Sequence, residues 1–188
     1  IKIKNGYIYA SAKNGLKGST IRFPSISVGA TENAIIAAAQ AEGKTTLLNC
    51  AKEPEIKDLI LFLKSLGCSI KESERKIVIY GNFHPKQIIH EVMFDRIEAG
   101  TYLIASALIG KKISISGLKT TLIKTEIKIL KNMGVKMKIE KNKVTVFHSS
   151  KIKKINIMTA PYPGFPTDLQ AQIMVLMTKA IGKSKIKE

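Results

Sequence analysis

An internal repeat of 67 residues is the feature that most constrains how this chain folds. Gly43 and Gly110 stand 67 positions apart, and so do Gly67 and Gly134. Similar segments share the same offset: Ala37–Lys44 with Ile104–Lys111, Leu61–Gly67 with Lys128–Gly134, and Ile77–Tyr80 with Val144–Phe147. A period of this length indicates successive copies of one supersecondary unit, which bury their apolar faces against one another.

The sequence pattern of each copy predicts a βαβαββ unit. Its first helix consists of small and apolar residues, which favours a crowded interior, and a glycine ends each helix. The predicted elements of the first copy are Ser19–Phe23, Glu32–Ala41, Lys44–Leu48, Glu55–Leu66, Ser69–Lys71 and Lys76–Tyr80. Those of the second copy are Ile88–Met93, Ala99–Ile109, Lys111–Ser116, Leu122–Met133, Lys136–Glu140 and Lys143–Phe147.

A third copy begins near Lys151, with predicted elements at Lys154–Met158, Asp168–Ile181 and Lys183–Lys187. Gly6–Ser11 reads as the last strand of a preceding copy. We therefore expect an α/β (α+β) fold with about two and a half units, truncated at both ends and taken from a longer repeat protein.

The net charge of +17 comes from 28 lysines and only 3 arginines, spread along the whole chain. Base readers and phosphate clamps favour arginine, and no aromatic cluster offers a stacking platform. The charge therefore indicates lysines on solvated faces or an anionic small ligand more than nucleic acid. Cys50 and Cys68 form no zinc or disulfide pattern and are expected to be buried.

Two loops lie outside the pattern of ordinary turns. Pro24–Asn33 joins a strand to a helix, and its serines and glycine suit either a phosphate at the helix N-terminus or capping by Ser27 or Thr31. Ala160–Asp168 holds three prolines and a glycine and is expected to be rigid. At its end, Asp168 is placed as an N-cap or as a base.

Four segments occur together and in order: Ser27–Thr31, Lys52–Ile56, Asp95–Thr101 and Ala160–Gln172. They resemble the UDP-N-acetylglucosamine 1-carboxyvinyltransferase family of enolpyruvyl transferases. The resemblance implies two similar domains of three units each, called an inside-out α/β barrel. It places the domain crossover near Met93, so that residues 1–93 close one domain and 94–188 open the other.

The resemblance also implies the activity. The family transfers enolpyruvyl from phosphoenolpyruvate to the 3′-hydroxyl of UDP-N-acetylglucosamine, the first committed step of peptidoglycan synthesis, in the bacterial cytoplasm. It implies no metal or organic cofactor. We expect no nucleic-acid partner from the charge pattern, and no membrane partner because no window reaches 18 uncharged apolar residues. The resemblance also implies that the missing domain portions are partners, in cis or in trans.

The family's site residues carry over motif by motif. Asp168 matches the aspartate that takes the 3′-hydroxyl proton, and Thr167 helps to hold the sugar. The residues that match the nucleotide diphosphate loop are Ser25, Ile26, Ser27, Val28 and Gly29. Many members have Lys or Arg where this chain has Ser25, so diphosphate binding is expected to be weaker unless Arg22 or a nearby lysine substitutes.

Other family residues have no match in this chain. Neither Cys50 nor Cys68 corresponds to the reactive cysteine, and the residues that hold phosphoenolpyruvate are missing. We therefore expect these 188 residues alone to be inactive and to supply part of the sugar-nucleotide half of a site. The alternatives are the related 5-enolpyruvylshikimate-3-phosphate synthase activity, and a non-catalytic remnant or split-gene scaffold.

Overall fold

The computed structural model describes residues 1–188 and divides into two compact units, Ile1–Glu91 and Val92–Glu188. Each unit has its own hydrophobic core. No helix in the chain is both long and apolar enough to cross a membrane.

The first unit contains an N-terminal hairpin followed by one βαβαββ arrangement. Its strands and helices are β1 (Lys2–Lys4), β2 (Tyr7–Tyr9), β3 (Thr20–Arg22), α1 (Val28–Gln40), β4 (Lys44–Leu48), α2 (Pro54–Leu66), β5 (Ser69–Ser73) and β6 (Lys76–Tyr80). Strands β3 and β4 are parallel, and the pairs β4–β6 and β6–β5 are antiparallel. The sheet therefore has the order β3-β4-β6-β5.

Helices α1 and α2 contact each other and pack on this sheet. Helix α2 is amphipathic and buries Ile56, Ile60 and Leu63 on its inner face. It ends at Gly67, whose φ of 110° lies in the left-handed region that favours glycine. The helices and the sheet enclose a core that includes Ile35.

The second unit repeats this order from its first helix onward and begins a further copy. Its elements are α3 (Arg96–Ile109), β7 (Ile113–Ser116), α4 (Lys124–Asn132), β8 (Met137–Glu140), β9 (Lys143–Val146), β10 (Ile152–Lys153), β11 (Asn156–Met158), α5 (Gln170–Met177), β12 (Ala180–Ile181) and β13 (Lys185–Lys187). Two 3-10 turns, Thr120–Leu122 and Thr167–Leu169, precede α4 and α5. The predicted mixed α/β fold and its repeat are confirmed.

The second unit has a three-stranded sheet in the order β7-β9-β8 and two short parallel pairs, β10 with β12 and β11 with β13. Helix α3 contacts α5, β7 and β9. The fully buried residues Leu103, Leu130, Leu169 and Ile173 belong to one core. This core therefore joins α3, α4 and α5 across the second and third copies of the repeat.

One predicted strand is wrong. Ile88–Met93 lies in a segment without regular secondary structure between β6 and α3. This segment contains Pro85, which has no backbone donor, and its residues Lys86 and His90 contact α2 instead of joining a sheet. The Lys86 amide donates to the Leu66 carbonyl at 2.9 Å, and the His90 ring lies edge-on to Phe62.

The helix boundaries also differ from the prediction. Helix α1 begins four residues early, at Val28, because Ser27 caps it, and α3 begins at Arg96 because Asp95 caps it. The predicted helix Asp168–Ile181 ends at Met177, and Ala180–Ile181 pairs with β10 instead. Side-chain caps and strand partners, rather than apolar periodicity, decide these ends.

Candidate functional site

The loop before α1 is held by its own side chains in the first unit. The Ser27 hydroxyl accepts a hydrogen bond from the Ala30 amide at 3.2 Å, so Ser27 is the N-cap. The Thr31 hydroxyl donates to the Ser27 carbonyl at 2.7 Å, and the Asn33 side-chain Nδ2 donates to the Gly29 carbonyl at 2.8 Å. The predicted capping by Ser27 is confirmed, whereas Thr31 bonds to the backbone from within the helix.

The same loop presents the positive end of α1. The Thr31 amide makes the first helical hydrogen bond, to the Ser27 carbonyl, so the amides of Val28 and Gly29 precede the helical ladder. Ser25 and Gly29 are exposed, and Ser27 and Val28 are half-buried. Capping and anion binding are therefore compatible here, because the cap uses the Ala30 amide.

Carboxylates lie close to this helix end. Burial raises the pKa of Glu32 above its ordinary value, and the negative charges of Glu55 and Glu53 raise it further. Glu53 is itself buried, and its carboxylate accepts a hydrogen bond from the Lys52 amide at 2.8 Å. The first turn of α2 thus adds negative potential beside α1.

The proline-rich loop forms a closed turn in the second unit. The Ala160 amide donates to the Phe165 carbonyl at 2.9 Å, and the Gly164 amide donates to the Pro161 carbonyl at 2.8 Å. Thr159 and Phe165 also form an isolated bridge. Phe165 is 3% exposed and belongs to the core of this unit, so the loop is anchored as well as closed.

Thr167 and Asp168 end this loop and are both exposed. They lie in the 3-10 turn, where Pro166 holds the cap position and no side chain makes a capping hydrogen bond. The N-cap interpretation of Asp168 is therefore wrong. The turn places the carboxylate in solvent between two buried residues, Phe165 and Leu169.

Other residues of the second unit hold this loop in place. The Thr125 hydroxyl donates to the Pro163 carbonyl at 2.6 Å. The guanidinium carbon of Arg96 lies 5.2 Å from the centroid of the Tyr162 ring. The Nη1 atom of Arg96 also lies 3.5 Å from Glu126 Oε1. These contacts fix the loop to the starts of α3 and α4, and the sequence reasoning did not single out any of them.

Two cavities occupy equivalent positions in the two units. A cavity of about 300 Å³ is lined by Lys57 and Ile60 of α2, and one of about 410 Å³ by Lys124 and Ile127 of α4. Each residue of the first pair stands 67 positions before its counterpart. None of the predicted site residues lines either cavity, and no cluster of three or more His, Cys, Asp or Glu side chains could hold a metal ion.

Comparison with known proteins gives the family. The family model for EPSP synthase (3-phosphoshikimate 1-carboxyvinyltransferase) matches residues 1–188. The chain belongs to the EPSP synthase family. Curated relatives within it are named UDP-N-acetylglucosamine 1-carboxyvinyltransferase, as the sequence resemblance indicated.

Two of these family members show the extent of the match. The protein from Pelagibacter ubique (strain HTCC1062) is 56% identical over 188 residues, which are 100% of this chain and 45% of the relative. The protein from Aliarcobacter butzleri (strain RM4018) is 45% identical over 191 residues, with the same coverage of 100% and 45%. The chain thus spans about 45% of the length of these relatives.

Two solved structures share the fold of this chain. The enolpyruvyl transferase NikO from Streptomyces tendae matches with a TM-score of 0.79 and 24% identity, over 92% of this chain and 44% of that protein. EPSP synthase from Acinetobacter baumannii matches with a TM-score of 0.62 and 20% identity, over 92% of this chain and 40% of that protein. At these identities the match supports the fold alone.

Proposed function

We propose that this chain is part of an enolpyruvyl transferase that acts on UDP-N-acetylglucosamine and phosphoenolpyruvate. The observation that carries the proposal is the 56% identity, over all 188 residues, to a relative named for that activity. The reaction would supply the first committed intermediate of peptidoglycan, and we place it in the bacterial cytoplasm. The proposed transfer requires no metal or organic cofactor.

The loop before α1 is proposed to hold the diphosphate of the sugar nucleotide. The residues assigned to this role are Ser25, Ile26, Ser27, Val28 and Gly29. Support comes from the backbone amides at the start of α1 and from the helix dipole, both of which favour negative charge. The carboxylates of Glu32 and Glu53 act against a dianion there, so lysines or Arg22 have to balance them.

Asp168 is proposed to accept the proton of the 3′-hydroxyl. In the transfer, the hydroxyl oxygen bonds to the enol carbon of phosphoenolpyruvate, phosphate leaves, and the hydroxyl proton has to pass to a base. The exposure of Asp168 and the burial of Leu169 beside it support this role, since the carboxylate is accessible on an anchored turn. Thr167 is proposed to help hold the sugar.

We further propose that residues 1–93 and 94–188 belong to two domains of one enzyme. The chain alone would then supply part of the sugar-nucleotide half of the site, and the residues that bind phosphoenolpyruvate would come from portions outside it. Purified 188-residue chain is accordingly expected to release no phosphate from the two substrates.

The related activity on shikimate 3-phosphate is the second candidate, because the matching family model is described as EPSP synthase. The two candidates differ in the acceptor. Calorimetric binding of UDP-N-acetylglucosamine and of shikimate 3-phosphate to the full-length protein that carries this chain separates them.

The test of the role of Asp168 is phosphate release by that full-length protein. Asp168→Asn is expected to lower kcat by about 10²–10⁴-fold, the usual contribution of a positioned acid or base. Glu140→Gln is the matched control, since Glu140 is an exposed acid of the same unit that pairs with Lys138. Equal activity of Asp168→Asn and wild type, or transfer to shikimate 3-phosphate only, would overturn the proposal.

A further inference from the structure

A buried ion pair contacts the proline-rich loop at Tyr162. Arg96 and Glu126 are 4% and 3% exposed, and Arg96 Nη1 lies 3.5 Å from Glu126 Oε1. Replacing a buried pair of this kind by apolar residues of similar volume is often neutral or stabilising. Stability alone therefore gives no reason for two buried charges here.

The contact of this ion pair with the loop gives a reason for the two buried charges. The Arg96 guanidinium lies over the face of Tyr162, 5.2 Å from the ring centroid, where the ring quadrupole attracts a cation. Glu126 holds the guanidinium from another element, the first turn of α4. The neighbouring Thr125 bonds directly to the Pro163 carbonyl. Thr125 of α4 thus contacts Pro163 directly, and Glu126 acts on the neighbouring Tyr162 through Arg96.

The loop connects the contact at Tyr162 to the turn that carries Asp168. Its two internal hydrogen bonds, Ala160 to Phe165 and Gly164 to Pro161, close it around Tyr162. Phe165 is buried, and only two residues separate it from Asp168. A displacement of Tyr162 would act through these hydrogen bonds on Phe165 and on the turn that follows it.

We propose that Arg96, Glu126 and Tyr162 form a positioning clamp that sets the location of the Asp168 carboxylate. The three residues act on that carboxylate through the loop, so they are positioning residues. The consequence for catalysis rests on the proposed function, in which Asp168 takes a proton that has to lie within hydrogen-bond reach. The hold on the loop itself does not rest on it.

The test uses the full-length protein that carries this chain and two changes to the clamp. Arg96→Met with Glu126→Leu removes both charges of the pair together, so neither is left buried without the other. Tyr162→Leu removes the ring from a half-buried position, where folding is less at risk. Tyr162→Phe is the conservative variant, because it keeps a ring face for Arg96.

Lys112→Met is the matched control. Lys112 is an exposed residue of the same unit whose Nζ lies 5.9 Å from the Phe147 ring centroid. This variant therefore removes a cation–π contact away from the loop.

The first measurement is amide hydrogen exchange of the peptide that covers residues 160–169. Exchange there is expected to be about tenfold or more faster in the double variant and in Tyr162→Leu, because their loop opens more often. Lys112→Met is expected to match wild type, and Tyr162→Phe, which keeps the ring face for Arg96, is expected to exchange more slowly than Tyr162→Leu. Unchanged exchange in both the double variant and Tyr162→Leu would overturn the clamp, whatever the activity.

The second measurement separates positioning from stability. The double variant is expected to keep the wild-type Tm while kcat falls by about 10–100-fold, as for a small misplacement of a catalytic group, with the KM for phosphoenolpyruvate unchanged. Wild-type kcat in a double variant with fast exchange would overturn the positioning role. Fast exchange together with an inactive wild-type protein would instead leave the clamp standing and refute the proposed function.

Discussion

The Thr31 hydroxyl accepts a hydrogen bond from the Ala51 amide at 3.0 Å. Both residues are buried, and they join the first turn of α1 to the segment that leads from β4 into α2. The same hydroxyl donates to the Ser27 carbonyl. One side chain therefore connects the proposed diphosphate loop with the segment before α2, 20 residues further along the chain.

Thr31→Val is expected to destabilise the first unit by about 1–3 kcal/mol, because it leaves the buried Ala51 amide without its acceptor. Thr31→Ser keeps the hydroxyl and is the control, with a smaller loss from the missing methyl group. Urea denaturation followed by circular dichroism measures both. Equal losses for the two variants would show that the hydrogen bond is not the cause.

Ser25→Lys is expected to tighten binding of UDP-N-acetylglucosamine. Ser25 is exposed and stands two residues before the cap of α1, so a cation there adds attraction for a diphosphate. The gain should shrink as salt rises, because salt screens exposed charges. Ser11→Lys adds the same charge at another exposed position of this unit, and calorimetric titration at two salt concentrations compares them. Equal affinities would contradict the assignment of this loop.

Glu32 gives the fold a pH dependence. Its pKa in the folded state is raised above the ordinary value of 4.5 by burial and by repulsion from Glu55 and Glu53. Between the two pKa values the folded state binds more protons, so the free energy of unfolding falls as pH rises through that window. Glu32→Gln removes this loss.

Raising the pH through this window is therefore expected to make Glu32→Gln more stable relative to wild type, as measured by the free energy of unfolding. Urea titrations of both proteins at a series of pH values measure it, and titrating groups that do not interact with Glu32 cancel in the difference. A difference that stays constant with pH would contradict the raised pKa.

Local signals in the sequence explain which elements were predicted well. Lys44–Leu48 and Lys76–Tyr80 are strands with the predicted bounds, and α2 differs from its prediction by one residue. The two strands are rich in β-branched residues, which favour a strand. Pro54 and Gly67 mark the two ends of α2. Each of these signals lies within a few residues of the element that it predicts.

Non-local contacts explain what the sequence did not show. Ile88–Met93 has the composition of a strand, but its neighbours pack along α2. The pairing of Arg96 with Glu126 joins residues 30 positions apart in the sequence, and the sequence around neither residue predicts this contact. Asp168 was selected by its motif, whereas its exposure depends on the turn in which it lies.

Cys50 and Cys68 are expected to be unreactive in the folded protein. They are 1% and 3% exposed, and burial raises the pKa of both thiols, so little thiolate forms at neutral pH. Reaction with a chromogenic disulfide reagent should be slow in buffer and should reach both thiols only in denaturant. Rapid labelling of either thiol in buffer would contradict its burial.

Gly100 is expected to be required for the packing of Leu169. A Cβ atom at this position of α3 would overlap Leu169 Cδ1 and lie 3.1 Å from Leu169 Cδ2. Leu169 is fully buried, so its side chain has little room to move away. Gly100→Ala is therefore expected to destabilise the second unit by about 1–3 kcal/mol, although alanine favours helices over glycine.

A double-mutant cycle isolates this contact. Leu169→Ala alone is expected to cost about 2–5 kcal/mol, because it leaves a cavity in the core. In that background Gly100→Ala should cost far less than in wild type, since the atoms it meets are gone, and the coupling between the two changes should be about 0.5–3 kcal/mol. Additive losses in urea denaturation would show that the two side chains do not compete for space. A coupling of the expected size would place the turn that carries Asp168 directly against the backbone of α3.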